Sequence, residues 1–234
     1  MPRIPFPLSA GRPLVVGSVS DLDTWMHLTD AGAELPCDVV ELRLDLLPAD
    51  CDLAAVAARP CPRPLIVTCR HETEGGGRPM ADEERMAAVR VFLPVASAVD
   101  WEILEMALAE ELMDELQEKQ VPLIASCHFF EETPDAEQMI SLAECAWESG
   151  AAMAKFAFML HSGEDIQQGV RLLAEGTGAL AVMGMGTLGP VSRLLYAQLG
   201  SCLVYGYLGT QPSAPGQWSA ADCREVLAKL GSAC

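Results

Sequence analysis

Eight short apolar runs, each followed by a stretch with helical spacing, constrain the fold of this chain more than any other feature. The runs occupy residues 14–18, 38–44, 64–69, 98–103, 121–126, 151–160, 179–183 and 201–205 and read as β-strands. Helices are expected after the first strand to about residue 32, then near 50–59, 81–93 and 105–118. A further helix is expected from a Thr133 N-cap, with Pro134 in its first turn, to Glu148. Ser162 and Ser219 are placed to cap two later helices. Eight such pairs over about 215 residues suit an α/β fold, the (β/α)8 TIM barrel, whose reactive side chains project from the carboxyl ends of its strands. An open doubly wound sheet is the structural rival. No linker or shift of composition divides the chain. Residues 1–234 are therefore expected to form one barrel domain, with a short segment of about residues 1–13 before the first strand.

Charge narrows the partners. The chain carries 15 Lys and Arg against 33 Asp and Glu, a formal net charge of −18, which disfavours nucleic acid and anionic membranes. It contains no run of about 18 consecutive apolar residues that would span a membrane. The Pro-rich start lacks the apolar core of a secretory signal. Nine cysteines are scattered with no Cys-x-x-Cys pair, which fits reduced thiols in a cytoplasm better than disulfides or zinc. An acidic chain that acts on an anion needs its own local cluster of arginines.

The sixth run, Ala-Ala-Met-Ala-Lys-Phe-Ala-Phe-Met-Leu, carries Lys155 as its one charge in a strand expected to be buried on both faces. Burial disfavours an ammonium, so Lys155 reads as a source of free amine that forms an imine with a carbonyl substrate. A lysine that snorkels outward or pairs with a carboxylate is the competing reading. Lys119 and Lys229, the remaining lysines, lie in surroundings where both can be solvated. Glu41 and Arg43 stand two apart on the second strand and can both face a barrel interior, although a purely structural ion pair has the same pattern. Arg70 ends the third strand, His128 the fifth, Arg193 follows the seventh, and Ser213 and Gln217 follow the eighth. Each alone has a structural explanation; their convergence on one end of one barrel favours a site. Gly184-Met-Gly-Thr-Leu-Gly189 has dinucleotide-binding spacing, but the acidic residue due about 20 positions later is absent, so it reads as a tight turn into a helix. Residues 209–218, rich in Gly and Pro, are expected to form a lid over the site.

With these motifs in order, the sequence resembles the type I 3-dehydroquinate dehydratase family. The resemblance is carried by Val40-Glu-Leu-Arg-Leu-Asp45, Thr68-Cys-Arg-His-Glu-Thr-Glu-Gly-Gly76 and Ser126-Cys-His-Phe-Phe-Glu-Glu-Thr-Pro134. It continues through Ala154-Lys-Phe-Ala157, Met183-Gly-Met-Gly186 with Ser192-Arg193, and Ser213-Ala-Pro-Gly-Gln217. It implies dehydration of 3-dehydroquinate to 3-dehydroshikimate, with the imine at Lys155, His128 as general acid and base, and Glu74 assisting His128. Both tasks of His128 call for a pKa near 7. The resemblance also implies that Glu41, Arg43, Arg70, Arg193, Ser213 and Gln217 bind substrate, with Ser18 as a further match on the first strand. It implies a homodimer, no metal and no dissociable cofactor. Cys127-His-Phe-Phe stands where the family often has Tyr-His-Asp-Phe, which bears on how His128 is oriented. A class I aldolase and a non-catalytic carboxylate-binding relative are the alternatives.

Overall fold

Strands form at all eight expected places: β1 (Leu14–Val19), β2 (Val39–Arg43), β3 (Leu65–Thr68), β4 (Ala98–Glu102), β5 (Leu123–Phe129), β6 (Met153–Met159), β7 (Leu180–Met185) and β8 (Leu203–Tyr207). The structure, a computed structural model, describes residues 3–7, 11–30, 34–210 and 217–231. All paired strands are parallel, in the order β7-β6-β5-β4-β3-β2-β1-β8. The amide of Cys202, just before β8, donates to Leu180 O on β7 at 2.7 Å, and Val182 N donates to Ser201 Oγ at 2.9 Å. These bonds bring the two ends of the sheet together and make a nearly closed barrel. Strand order never reverses, which excludes the doubly wound alternative.

Eight α-helices follow the strands: α1 (Leu22–Asp30), α2 (Leu53–Ala57), α3 (Asp82–Phe92), α4 (Glu110–Glu118), α5 (Ala136–Glu148), α6 (Gly163–Glu175), α7 (Gly189–Gln198) and α8 (Ala220–Lys229). Ser162 and Ser219 cap α6 and α8 as expected. Two local expectations need correction. Asp135, not Thr133, is the N-cap of α5, in a capping box with Gln138; the Thr133 hydroxyl donates instead to Met159 O at 2.5 Å. The stretch expected as one helix over 105–118 begins as a 3-10 segment, Ile103–Ala109, before α4. Among the described residues, no helix is long and apolar enough to cross a membrane.

Period-two alternation divides the core. Leu14, Val16, Val39, Ile66, Ala98, Ile124, Met153, Ala181 and Leu203 pack together within the barrel. Their neighbours Val15, Val40, Val67, Val99, Ala125, Ala154 and Val182 pack outward in the layer shared with the helices. Continuing the inward set by twos along the strands reaches Glu41 and Arg43, Thr68 and Arg70, Asp100 and Glu102, Ser126 and His128, and Lys155. One half of the interior is therefore apolar and the carboxyl-terminal half is charged. That division positions the site.

Candidate active site

Lys155 is buried, and its surroundings alter the expectation of an uncompensated amine. Nζ donates to Asp100 Oδ2 at 2.7 Å and lies 4.0 Å from Glu41 Oε1. The face of Tyr205 approaches from β8, with its ring centroid 4.4 Å from Nζ. Glu41 is held in turn by Ser18 Oγ at 2.6 Å and Thr68 Oγ1 at 2.9 Å, both donating. A buried cation needs such compensation. The carboxylate-paired lysine of the competing reading is therefore present, and it faces a cavity.

Two of the arginines expected to bind substrate, Arg43 and Arg70, are paired with carboxylates. Arg43 makes a two-pronged contact with Asp45, Nε to Oδ1 at 3.0 Å and Nη2 to Oδ2 at 2.7 Å. Arg70 donates to Asp100 Oδ1 at 2.7 Å, Glu102 Oε1 at 2.9 Å and Ser126 Oγ at 2.6 Å. Behind it, Arg85 of α3 contacts Glu102, donates to Cys69 O, and stacks 4.2 Å from the Trp101 ring centroid. Despite burial, which opposes it, the Arg70 and Lys155 cations hold the Asp100 carboxyl well below the usual carboxylate range. Asp45, Asp100, Glu102 and Tyr205 were not singled out from the sequence. A signal was available on β4, where Ala-Val-Asp-Trp-Glu sets two acids inward by the same alternation that marked Glu41 and Arg43.

His128, near the carboxyl end of β5, is fixed by Glu74. Oε2 of Glu74 accepts from the His128 amide at 3.0 Å and lies 2.9 Å from Nδ1. Glu74 ends a 3-10 turn, Glu72–Glu74, closed by Gly75 at φ 85°, a left-handed conformation that a side chain would strain. A Cβ at Gly75 would also meet the Phe130 ring at 2.5 Å, so Phe130, the one phenylalanine this stretch shares with the family pattern, packs directly on the turn that orients His128. Burial, together with the Arg70 and Lys155 cations, pushes His128 well below its ordinary value. That direction runs opposite to the value near 7 expected for this histidine. Burial, with Glu102 nearby, instead raises Glu74 to about 7.

Arg193, in the second turn of α7, is the expected arginine with no carboxylate partner among the described residues. It is buried, donates to Tyr205 O at 3.3 Å, and leaves Nε unpaired. Burial lowers it to about 10. A cation desolvated in this way is suited to receive an anion. The turn before α7, with Gly186 at φ 76°, is the tight connection expected there.

These groups line one cavity of about 110 Å³. Ser18, Glu41, Arg43, Arg70 and Glu74 line it from the first three strands and the turn after β3. His128, Lys155, Arg193 and Gln217 complete the expected set, with Met183, Met185 and Ala157 as apolar wall. Ser213, and with it residues 211–216 of the expected lid, lies outside the described residues. Among the described residues, no group of three or more His, Cys, Asp or Glu is placed to hold a metal ion.

The sequence model of the family described as Type I 3-dehydroquinase matches residues 14–233. The chain belongs to the type I 3-dehydroquinase family. A 3-dehydroquinate dehydratase from Methanocella arvoryzae is 34% identical over 220 residues, covering 94% of this chain and 97% of that one. One from Methanothrix thermoacetophila is 33% identical over 195 residues, covering 83% of each chain. Among solved structures, the 3-dehydroquinate dehydratase of Geobacillus kaustophilus superposes with a TM-score of 0.77 at 28% identity, covering 94% of this chain and 91% of that one. The fold places family motifs from separate strands around one cavity.

Proposed function

We propose that this barrel converts 3-dehydroquinate to 3-dehydroshikimate and water through an imine on Lys155, acting as a carbon–oxygen hydro-lyase. The observation that carries the reading is the meeting of Lys155, the Glu74–His128 pair and the carboxylate-free Arg193 around one small cavity. A β-hydroxy ketone loses water once the carbon between the two functions is deprotonated. Attack by Nζ on the ketone and loss of water give a protonated imine, which accepts the electron pair of the departing C–H bond. Neutral His128 removes that proton, with Glu74 stabilising the imidazolium, and returns it to the leaving hydroxyl; hydrolysis of the product imine then consumes one water and frees Lys155 and the product. Arg193 receives the substrate carboxylate, helped by Gln217 and Ser213. The imine supplies the electron sink, so the reaction as written needs no metal or dissociable cofactor.

Borohydride reduction during turnover tests the assignment. A stable adduct mass is expected on the peptide containing Lys155, and Lys155→Arg should be inactive because guanidinium does not deprotonate in proteins. Labelling confined to Lys119 or Lys229 would overturn it. The reading also includes a homodimer working in the cytoplasm; sedimentation equilibrium should give twice the 25.0 kDa chain mass.

A further inference from the structure

Asp100 is not among the residues that line the cavity, yet it makes the shortest contact to Lys155. Its two oxygens are fully engaged. Oδ2 accepts from Nζ at 2.7 Å; Oδ1 accepts from Arg70 at 2.7 Å and from Ser126 Oγ at 2.6 Å. With two cations donating to it, this carboxylate is poorly placed to take a proton and well placed to remain an anion. The alternation continues away from the cavity: Asp100 meets Arg70, Arg70 meets Glu102, and Glu102 meets Arg85. Arg85 is anchored by Cys69 O and the Trp101 ring. Four buried charges thus stand in line behind Nζ.

We propose that Asp100 is a positioning residue that holds Nζ toward the cavity and serves as the fixed counter-ion of the protonated imine. The balance of the step supports this, given the imine reading on which it rests. An alkylammonium and a ketone give a protonated imine and one water, with three hydrogens and one positive charge on each side. One proton leaves Nζ for His128 before attack, a second passes from nitrogen to the carbonyl oxygen, and the first returns from His128 as that oxygen departs as water. Charge at nitrogen is therefore the same at the beginning and the end. A counter-ion that stays ionised matches both states, and the proton traffic falls to His128. The Tyr205 face acts in the same sense, because attraction to a ring needs a positive charge and no particular N–H.

Asp100→Asn keeps the shape and removes the charge. Its kcat should fall about a hundredfold, the scale of losing one preorganised electrostatic partner. KM should stay within about threefold, since Asp100 does not touch the cavity. The yield of borohydride-trapped Lys155 adduct should fall with kcat, and Asp100→Glu should restore the adduct and part of kcat. Wild-type adduct yield and kcat in a folded Asp100→Asn would overturn the proposal, as would equal loss in both variants at wild-type melting temperature. If Asp100→Asn does not fold, Asp100→Glu decides: adduct formation supports the counter-ion role, and its absence from a folded variant overturns it. Wild-type turnover without any Lys155 adduct is a different result, and would remove the imine reading itself.

Discussion

Glu74 Oε2 sits 3.0 Å from the backbone nitrogen of His128 and 2.9 Å from its Nδ1, so one carboxylate oxygen orients both the main chain and the ring. Burial sends the two groups in opposite directions, Glu74 up to about 7 and His128 well below 6.5. The group that changes charge near neutrality is therefore the carboxylate. Activity should fall as pH drops through about 7, because protonated Glu74 no longer stabilises the imidazolium. In Glu74→Gln, kcat/KM should be lower and lack that limb. A limb that persists in this variant would assign the titration to another group.

The same shift has a stability signature. Glu74 rises from 4.5 to about 7 on folding, so its stabilising contribution is present below 4.5 and is lost as pH rises through about 7. Glu74→Gln escapes that loss. Its unfolding free energy relative to wild type should increase between those pH values by about 3 kcal/mol, then level off. Urea unfolding at several pH values measures it, and a difference independent of pH would contradict the shift.

His128→Ala should still form the Lys155 adduct but turn over at least about a hundredfold more slowly. Mass spectrometry after borohydride treatment, beside steady-state rates, separates the two steps. Full activity with the other three histidines intact would move the acid–base role elsewhere.

Arg193→Ala should mainly raise KM, with a loss of about 2–5 kcal/mol in kcat/KM if its partner is a buried carboxylate. A substrate analogue without the carboxylate should show little difference between wild type and variant. Equal losses for both substrates would make Arg193 structural.

Arg85→Met should destabilise the barrel by about 3–5 kcal/mol, the cost of breaking a buried ion pair by removing one partner. Thermal or urea unfolding reads this directly. A change under about 0.5 kcal/mol, typical of surface sites, would show that Glu102 is compensated by Arg70 alone.

Much of the architecture was legible because strand periodicity and barrel topology are both local signals repeated eight times. The nine expected cavity residues that lie in described regions share the cavity for a related reason: strand alternation turns Ser18, Glu41, Arg43, His128 and Lys155 inward, and Arg70, Glu74, Arg193 and Gln217 follow strands on the same side of the barrel. The partners of those residues were harder to see. Asp100 lies in the middle of β4 and Glu102 ends it, and only the closed barrel brings Arg70, Lys155 and Arg85 to them. The shift in His128 likewise depends on burial and on cations from β3 and β6, which no window of sequence around His128 contains. At α5, Thr133 and Asp135 are both competent caps; the Met159 carbonyl, contributed by β6, decides between them.

The charges around the site nearly cancel: Arg43, Arg70, Arg85, Lys155 and Arg193 stand against Glu41, Asp45, Asp100, Glu102 and the titrating Glu74. The chain's −18 therefore belongs to its exterior. An anion travelling to Arg193 meets repulsion for most of its path and attraction only at the end. Capture should accordingly quicken as salt is added, up to the concentrations at which the Debye length falls below about 10 Å. Beyond that, ions begin to compete for the mouth of the barrel. Ligand capture by this barrel should therefore be slowest in dilute buffer.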